Sequence, residues 1–241
     1  MAAHTVRLVA CNQIAEGTTA FHFAKPAGFE FRPGQAVDVV LEGEGAPPDA
    51  QDCRHTFSLV SAPYQDELVV ATRMRNSPFK RAFGAWQIGS TLGVDGPFGS
   101  LTLHKNAARP AVMIAGGIGI TPFMSMVRQA AKDRAERDLL LIYSNRRPED
   151  AAFLSELQQL QKTYPRFRLV AAMTDMAHSA QTWTGETRKI DGALIRSAIK
   201  DLPASIFYLA GPPAMVEAVR QALADAGMDE DDVRSEAFYG Y

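Results

Sequence analysis

Two different rhythms of hydrophobic and polar residues divide the chain. Over residues 1–105, short runs rich in β-branched and aromatic residues follow one another: TVRLVACNQI, TTAFHFA, QAVDVVLE, HTFSLVSAP, ELVVATRMR and TLGVDGPFG. Stretches such as KPAGFEFRPG and EGEGAPPDA separate them. Glycine and proline between β-rich runs predict strands joined by turns. One helical stretch, SPFKRAFGAW at 77–86, interrupts the series. The sum predicts an antiparallel β-barrel in preference to a sandwich.

From residue 110 the pattern changes. AVMIAG (111–116), DLLLIYS (138–144), FRLVAAM (167–173) and SIFYLAG (205–211) are almost continuous apolar runs, and amphipathic segments of helical length fill 122–134, 149–163, 191–200 and 213–226. Strands buried on both faces and alternating with helices predict an α/β doubly wound parallel sheet. The polar, proline-ended HKNAARP at 104–110 marks the seam. Two domains are therefore expected, the barrel over 1–105 and the α/β domain over 110–241. No internal repeat or low-complexity tract is present.

Composition narrows the chemistry. A chain of 241 residues suits one large or two small domains, and 46% hydrophobic residues exclude a disordered chain. The formal charge, 25 − 27 = −2, argues against a nucleic-acid partner. Cys11 and Cys53 form neither a disulfide framework nor a metal-ligand spacing. Two cysteines cannot hold a four-thiolate iron–sulfur cluster within this chain. His4, His22, His55, His104 and His178 are scattered without ligand spacing, so no metal site is expected. The start, MAAHTVRLVACNQIAEG, lacks a leader pattern, and no run reaches the ~18 apolar residues of a membrane span. A cytoplasmic protein without a membrane segment is the expectation. Nothing in the sequence speaks to oligomeric state.

Candidate chemistry begins at GGIGITP, where a strand is expected to end at Ala115. Gly116, Gly117 and Gly119 keep the following turn free of Cβ atoms. Thr121 suits an N-cap and Pro122 the first helical position. A helix start behind bare glycine backbone is an anion site. However, Pro122 stands where the dinucleotide fingerprint needs glycine, and no P-loop lysine follows. Alone, the stretch fits a ligand-free βα turn almost as well.

Two more strand ends add to it: Ser144-Asn145-Arg146-Arg147 and Gly211-Pro212-Pro213. Ligands of open α/β sheets lie beyond such carboxyl ends. The arginine pair offers bidentate phosphate contacts, or is simply solvated. In the first half, RHTFSLVSAP groups Arg54, His55, Thr56, Phe57 and Ser58 on a strand, with Phe57 on one face and Thr56 and Ser58 on the other. MRNSPFKRAF sets Arg75, Lys80 and Arg81 around a helix start with Ser77 as cap and Pro78 behind it. That is a second anion site or a basic, solvated helix face.

In this order the stretches resemble the ferredoxin–NADP reductase superfamily over nearly the whole chain. HTFS (55–58) is similar to its Arg-x-Tyr-Ser/Thr flavin motif. NSPFK and VDGPFG (94–99) resemble the flavin-phosphate segment and following turn, and GGIGITP the nicotinamide glycine motif. LAGPPAMV (209–216) resembles the Cys-Gly-Pro segment, and SEAFYGY the acidic and aromatic C-terminus.

The resemblance implies FAD in the barrel domain and NADPH or NADH in the α/β domain. Its implied cofactor-binding residues in the first half are Arg54, His55, Thr56, Phe57, Ser58, Thr72, Arg73, Met74, Ser77, Pro78, Phe79 and Lys80. In the second half they are Gly117, Ile118, Gly119, Thr121, Pro122, Ser144, Asn145, Arg146, Arg147, Gly211, Pro212, Met215 and Phe238. Ser58, Glu236 and Phe238 take the implied catalytic roles: Ser58 near the hydride-accepting nitrogen, Glu236 as a polar or proton-relaying group, and Phe238, or another aromatic of the tail, over the flavin. Three positions depart from the pattern. His55 replaces the motif arginine, with Arg54 just upstream. Phe57 replaces tyrosine, and Ala210 replaces the cysteine near the nicotinamide.

The implied activity is hydride transfer from NAD(P)H to FAD and delivery of electrons to a one-electron carrier, a ferredoxin- or flavodoxin-type protein or an oxygenase component. Two alternatives stand beside it. One is a flavin reductase that releases free reduced flavin, against which the phosphate-holding NSPFKRAF argues. The other is a partner-dependent electron-transfer subunit without independent turnover. Arg146 and Arg147 lean the coenzyme choice towards NADPH, while Glu149 and Asp150 oppose it.

Overall fold

A computed structural model describes residues 4–49, 53–202 and 204–239. In the first half, β1 (His4–Ala15), β2 (Thr18–Ala24), β3 (Ala36–Val40), β4 (Arg54–Ser58), β5 (Glu67–Arg73) and β6 (Thr91–Phe98) form one antiparallel sheet. Its order is β4-β3-β6-β1-β2-β5. Alternate residues turn inward: Val6 and Leu8, Phe21 and Phe23, Val37 and Val39, Leu68 and Val70, Leu92 and Val94 are all buried in one cluster. The edge strands meet through an isolated Leu59–Val70 bridge and a 2.8 Å bond from Val60 N–H to the Val69 carbonyl. The sheet thus curls as a barrel without a continuous closing ladder.

Helix α1 (Pro78–Gly84) plugs the barrel. Ser77 Oγ accepts from Lys80 N–H at 3.2 Å and Pro78 occupies the first turn, so the helix starts as the sequence predicts. Phe83 stacks on Phe21 with ring centroids 3.8 Å apart, and Phe79 sits 5.8 Å from Phe57.

In the second half, β7 (Ala111–Gly116), β8 (Leu139–Asn145), β9 (Phe167–Met173), β10 (Ile206–Gly211) and β11 (Val233–Ala237) form a parallel sheet ordered β11-β10-β7-β8-β9. Met113, Ala115, Leu141 and Tyr143 face α2 (Thr121–Asp133) and α3 (Leu154–Thr163). The alternate residues Val112, Ile114, Leu140 and Ile142 face α4 (Gly192–Ile199) and α5 (Pro213–Asp225). Both faces are covered, which is why these strands read as continuous apolar runs. Among the described residues, no helix is long and apolar enough to cross a membrane.

Several details differ from the sequence expectation. β7 runs on through Gly116, and Gly117–Ile120 forms a 3-10 turn before α2. Ile120 is therefore the residue before the helix, and Thr121 is not an N-cap. Its buried hydroxyl donates back to the Ile118 carbonyl at 3.0 Å. The helix expected over 149–163 is divided into a 3-10 turn at 148–150 and α3 from Leu154. β11 was not foreseen: it pairs in register with β10 from Phe207–Val233 to Gly211–Ala237.

The two halves share one core. Val60, Val69, Ala71 and Leu101 belong to the same cluster as Ile118, Phe123, Met126 and Val127. Ser125 Oγ donates to the Ser61 carbonyl at 2.7 Å, and Arg128 donates to the Val60 carbonyl at 3.0 Å. At the seam, the His104 N–H donates to the Tyr208 hydroxyl at 2.8 Å. Phe123→Ala, at a position 0% exposed, is expected to cost about 3–5 kcal/mol. Because the cluster takes in both halves, calorimetry is expected to show one unfolding transition in wild type and variant alike; a barrel that melts separately contradicts the shared core.

Candidate functional site

The edge strand β4 and the chain after β11 face each other across a cavity of about 630 Å³. Its walls are Asp38, Arg54 to Ser58, Ala71, Thr121 and Glu236 to Tyr239. The β3–β4 register sets Asp38 opposite Thr56, and from there its carboxylate accepts from Arg54 at 2.9 Å and from Thr56 Oγ1 at 2.5 Å. Arg54 also donates to Asp95. Its guanidinium is thus committed to two carboxylates.

His55 and Phe57 lie on the same face of the strand and stack at 4.7 Å with an 18° interplanar angle. Phe57 is 3% exposed and His55 only half-buried, so the imidazole is the ring with more surface left to the cavity. Burial pushes the imidazole below its usual pKa, and the Lys80 charge pushes the same way against a bond to the Thr56 carbonyl. The ring is therefore neutral around pH 7. Lys80 is 2% exposed, and burial first, then the Arg75 guanidinium, disfavour its charge. Across the cavity, Glu236 is half-buried, and burial raises its carboxyl pKa.

The second cavity, about 290 Å³, lies beyond the carboxyl ends of β7, β8 and β10. Gly116, Gly117 and Ile118 form one wall, Ser144, Asn145 and Arg146 another, with Thr174, Gly211, Pro212 and Met215. Arg73 and Arg75 reach it from the first half of the chain, and Phe238 lines both cavities. Gly119 allows the turn to press against β10, since a Cβ there would stand 2.2 Å from the Ala210 carbonyl oxygen. Gly117 has φ +53°, and a Cβ on it would lie 3.5 Å from the Arg73 guanidinium. Bare backbone and a guanidinium thus lie side by side in the cavity wall, a pairing that suits a phosphate group.

The sequence candidates divide accordingly. Arg54, His55, Thr56, Phe57, Ser58, Thr121, Glu236 and Phe238 gather around the first cavity. Arg73, Gly117, Ile118, Ser144, Asn145, Arg146, Gly211, Pro212 and Met215 gather around the second, again with Phe238. Thr72, Met74, Ser77, Pro78, Phe79, Lys80, Gly119, Pro122 and Arg147 line neither. The two arginines separate sharply. Arg146 has a side chain 72% exposed and donates to Asp175 at 2.6 Å. Arg147 turns away and donates to Asp150 at 2.9 Å and to Glu16 at 2.8 Å. Glu149 accepts from Ser179 and from the Ala180 and Gln181 amides. Asp38 and Thr174 were missed; an acid inside the apolar run QAVDVV was the signal for the first. Gly240 and Tyr241 of the SEAFYGY segment lie outside the described residues. Among the described residues, no group of three His, Cys, Asp or Glu side chains is placed to hold a metal.

Comparison with known proteins agrees with this geometry. Residues 113–221 match the oxidoreductase NAD-binding domain family. The chain is 30% identical to the glycine betaine monooxygenase reductase subunit of Chromohalobacter salexigens, over 98% of this chain and 64% of the relative. It is also 30% identical to reductase component 2 of the terephthalate 1,2-dioxygenase of Comamonas sp, over 76% of this chain and 54% of the relative. The chain thus spans about half to two thirds of the length of these curated relatives. A ferredoxin NADP+ reductase from Neisseria gonorrhoeae, solved with bound FAD and NADP, superimposes with a TM-score of 0.79 at 25% identity, covering 97% of this chain and 98% of that one.

Burial lifts the Glu236 pKa above its unfolded value, so folding takes up a proton between the two values. The associated stability is fully present below the unfolded pKa and is lost as pH rises through the folded one. Glu236→Gln removes that loss. Its melting temperature relative to wild type is expected to climb as pH rises from the acid side of the ordinary carboxyl range to neutrality; a pH-independent difference contradicts the assignment.

Proposed function

We propose that the chain is a member of the ferredoxin–NADP reductase superfamily and that it takes a hydride from NADPH or NADH onto an FAD held in the first cavity, a reading the NAD-binding family match and the ferredoxin NADP+ reductase superposition support. It then delivers electrons singly to a carrier protein of ferredoxin or flavodoxin type or to an oxygenase component. The observation that carries this reading is the shared wall. Two cavities of different chemistry, one aromatic and polar, the other glycine-lined and cationic, meet at Phe238. The reductase components among the relatives support the oxygenase side of it. Residues 1–105 would hold the flavin and 110–241 the nicotinamide coenzyme. Free Cys11 and Cys53 suit a reducing cytoplasm, where we place the protein.

The residues fit both groups. A cavity of about 630 Å³ lies within the size range of cofactor sites, and the Gly117 backbone beside Arg73 is a cradle that a Cβ would narrow. When bound, the flavin accepts a hydride and returns single electrons. The chain's part is binding, orientation and charge. The His55–Phe57 stack offers an aromatic wall, and the buried Ser58 hydroxyl offers a hydrogen bond in the same cavity. Arg73 and Arg75 neutralise the coenzyme diphosphate against the Gly117–Ile118 backbone. Phe238 separates the two sites and excludes water between them. Burial disfavours the charged form of the Glu236 carboxyl beside the cavity.

Purified protein is expected to carry flavin absorbance through gel filtration and to bleach anaerobically under NADPH or NADH. A colourless protein that takes up no FAD sinks the proposal, and flavin lost on the column favours a reductase of free flavin. Ser58→Ala is expected to slow flavin reduction about tenfold, the equivalent of one hydrogen bond to a charged or reacting group, while FAD stays bound. An unchanged stopped-flow rate removes Ser58 from the catalytic residues.

The arginine pair gives a separate contrast. Arg146→Ala is expected to lower kcat/KM for NADPH about tenfold relative to NADH, in line with loss of one charge-assisted phosphate contact. Arg147→Ala is expected to lower the melting temperature and leave the coenzyme ratio unchanged. The reverse pattern would assign the phosphate contact to Arg147.

A further inference from the structure

Asn145 ends β8 and is 5% exposed in the wall of the second cavity. Its backbone is fully used: it pairs with Met173 of β9, and its carbonyl accepts from the Thr174 N–H at 3.0 Å and from Thr174 Oγ1 at 3.2 Å. Its side chain is in the opposite condition. Neither Oδ1 nor Nδ2 meets a hydrogen-bonding partner among the described residues. The Tyr143 hydroxyl is close enough to feel the amide, yet it donates to the Ala152 carbonyl at 3.2 Å, and no well-formed bond joins it to Asn145.

Buried polar groups in folded proteins are paired with few exceptions, and a buried amide with both ends idle weakens the fold. Such a group marks a place where a partner arrives. The carboxamide presents one acceptor and two donor hydrogens without charge. It matches a hydroxyl, which gives and takes a hydrogen bond, better than it matches a phosphate. The surrounding side chains agree. Ser144 and Thr174 are neutral hydroxyls on the same cavity, while Arg146 beside them is engaged with Asp175. In a doubly wound sheet, the end of the second strand meets the ribose remote from the glycine turn.

We infer that Asn145 is a ligand-gated amide, unpaired in the free protein and paired with an adenosine-ribose hydroxyl of bound NAD(P)H. Both amide atoms are covered, so a rotation of the side chain accompanies binding. The free protein thus carries a local instability that the coenzyme removes, and part of the coenzyme's affinity is that relief. The inference rests on the coenzyme reading of the second cavity.

The test uses FAD-loaded protein and Asn145→Leu, a side chain of similar shape without polar atoms. Removing an idle amide raises stability, so the free variant is expected to melt above wild type. Its NADH Kd from anaerobic flavin reduction is expected to rise about tenfold, the equivalent of about 1.4 kcal/mol. The rise in melting temperature produced by saturating ADP-ribose is expected to shrink. A variant that melts lower or fails to fold, or one that melts higher yet keeps the wild-type Kd, overturns the inference. Wild type provides an independent measurement: the Asn145 side-chain amide resonance is expected to shift on addition of ADP-ribose, and an unmoved resonance overturns it. Flavin bleaching by NADH in wild type separates the two levels. Its absence defeats the coenzyme reading itself, whereas its presence beside an indifferent Asn145→Leu defeats only this inference.

Discussion

The buried face of α2 fixes how the two sheets sit against each other, and both cavities follow from that contact. Phe123, Met124, Met126 and Val127 are fully buried, and the cluster they join reaches back to Val60 and Val69 of the barrel. Ser125 and Arg128 add bonds to the Ser61 and Val60 carbonyls. The helix that docks on the barrel is also the helix that the glycine turn opens, so one contact sets the fold and aims the turn. Close-packed interiors yield little under load. On the proposed reading, transfer between two bound groups depends on placement at the level of an ångström, and the shared core contributes to that placement.

Charge is distributed so that each cavity suits a different part of the chemistry. In the first, charges are cancelled or suppressed: Arg54 is held by Asp38 and Asp95, burial biases Glu236 towards its neutral form, and His55 is kept uncharged. A conjugated ring system meets few unbalanced fields there. In the second, Arg73 lies beside the bare Gly117 backbone, and Arg75 and Arg146 line the same cavity. Phosphates are drawn to that side. On the proposed reading, the division separates where a coenzyme would be gripped from where electrons would move.

Much of this was legible in the sequence because the signals were local. Period-two alternation gave the barrel strands, unbroken apolar runs gave the covered parallel strands, and Ser77-Pro78 gave the start of α1. The missing parts depend on contacts between distant residues. VRSEA has no apolar run, and β11 is a strand because the edge of β10 accepts it. Thr121 looked like a cap, but Gly117–Ile120 forms a 3-10 turn in which Gly119 packs against the Ala210 backbone, and the helix begins at Thr121. Arg146 and Arg147 are indistinguishable as adjacent letters. Asp150 and the remote Glu16 draw one of them out of the cavity. The stack of His55 on Phe57 follows from alternation, but its consequence, that the imidazole is the ring left more open, needs the burial of Phe57 beneath it.

Phe238 touches both cavities, and its backbone N–H is tied to the Gly211 carbonyl at 2.9 Å. A side chain common to two sites couples their occupancies wherever a group in one site moves it. If a group in one cavity changes the position of that ring, it changes the affinity of the other cavity by some factor, and the second group must return the same factor to the first. On the proposed reading, such a movement of Phe238 would make retention of flavin a function of the nicotinamide concentration around the protein. A preparation stripped of flavin by dilution and one stripped in the presence of coenzyme would part with it at different free concentrations, by the same ratio that flavin imposes on coenzyme binding.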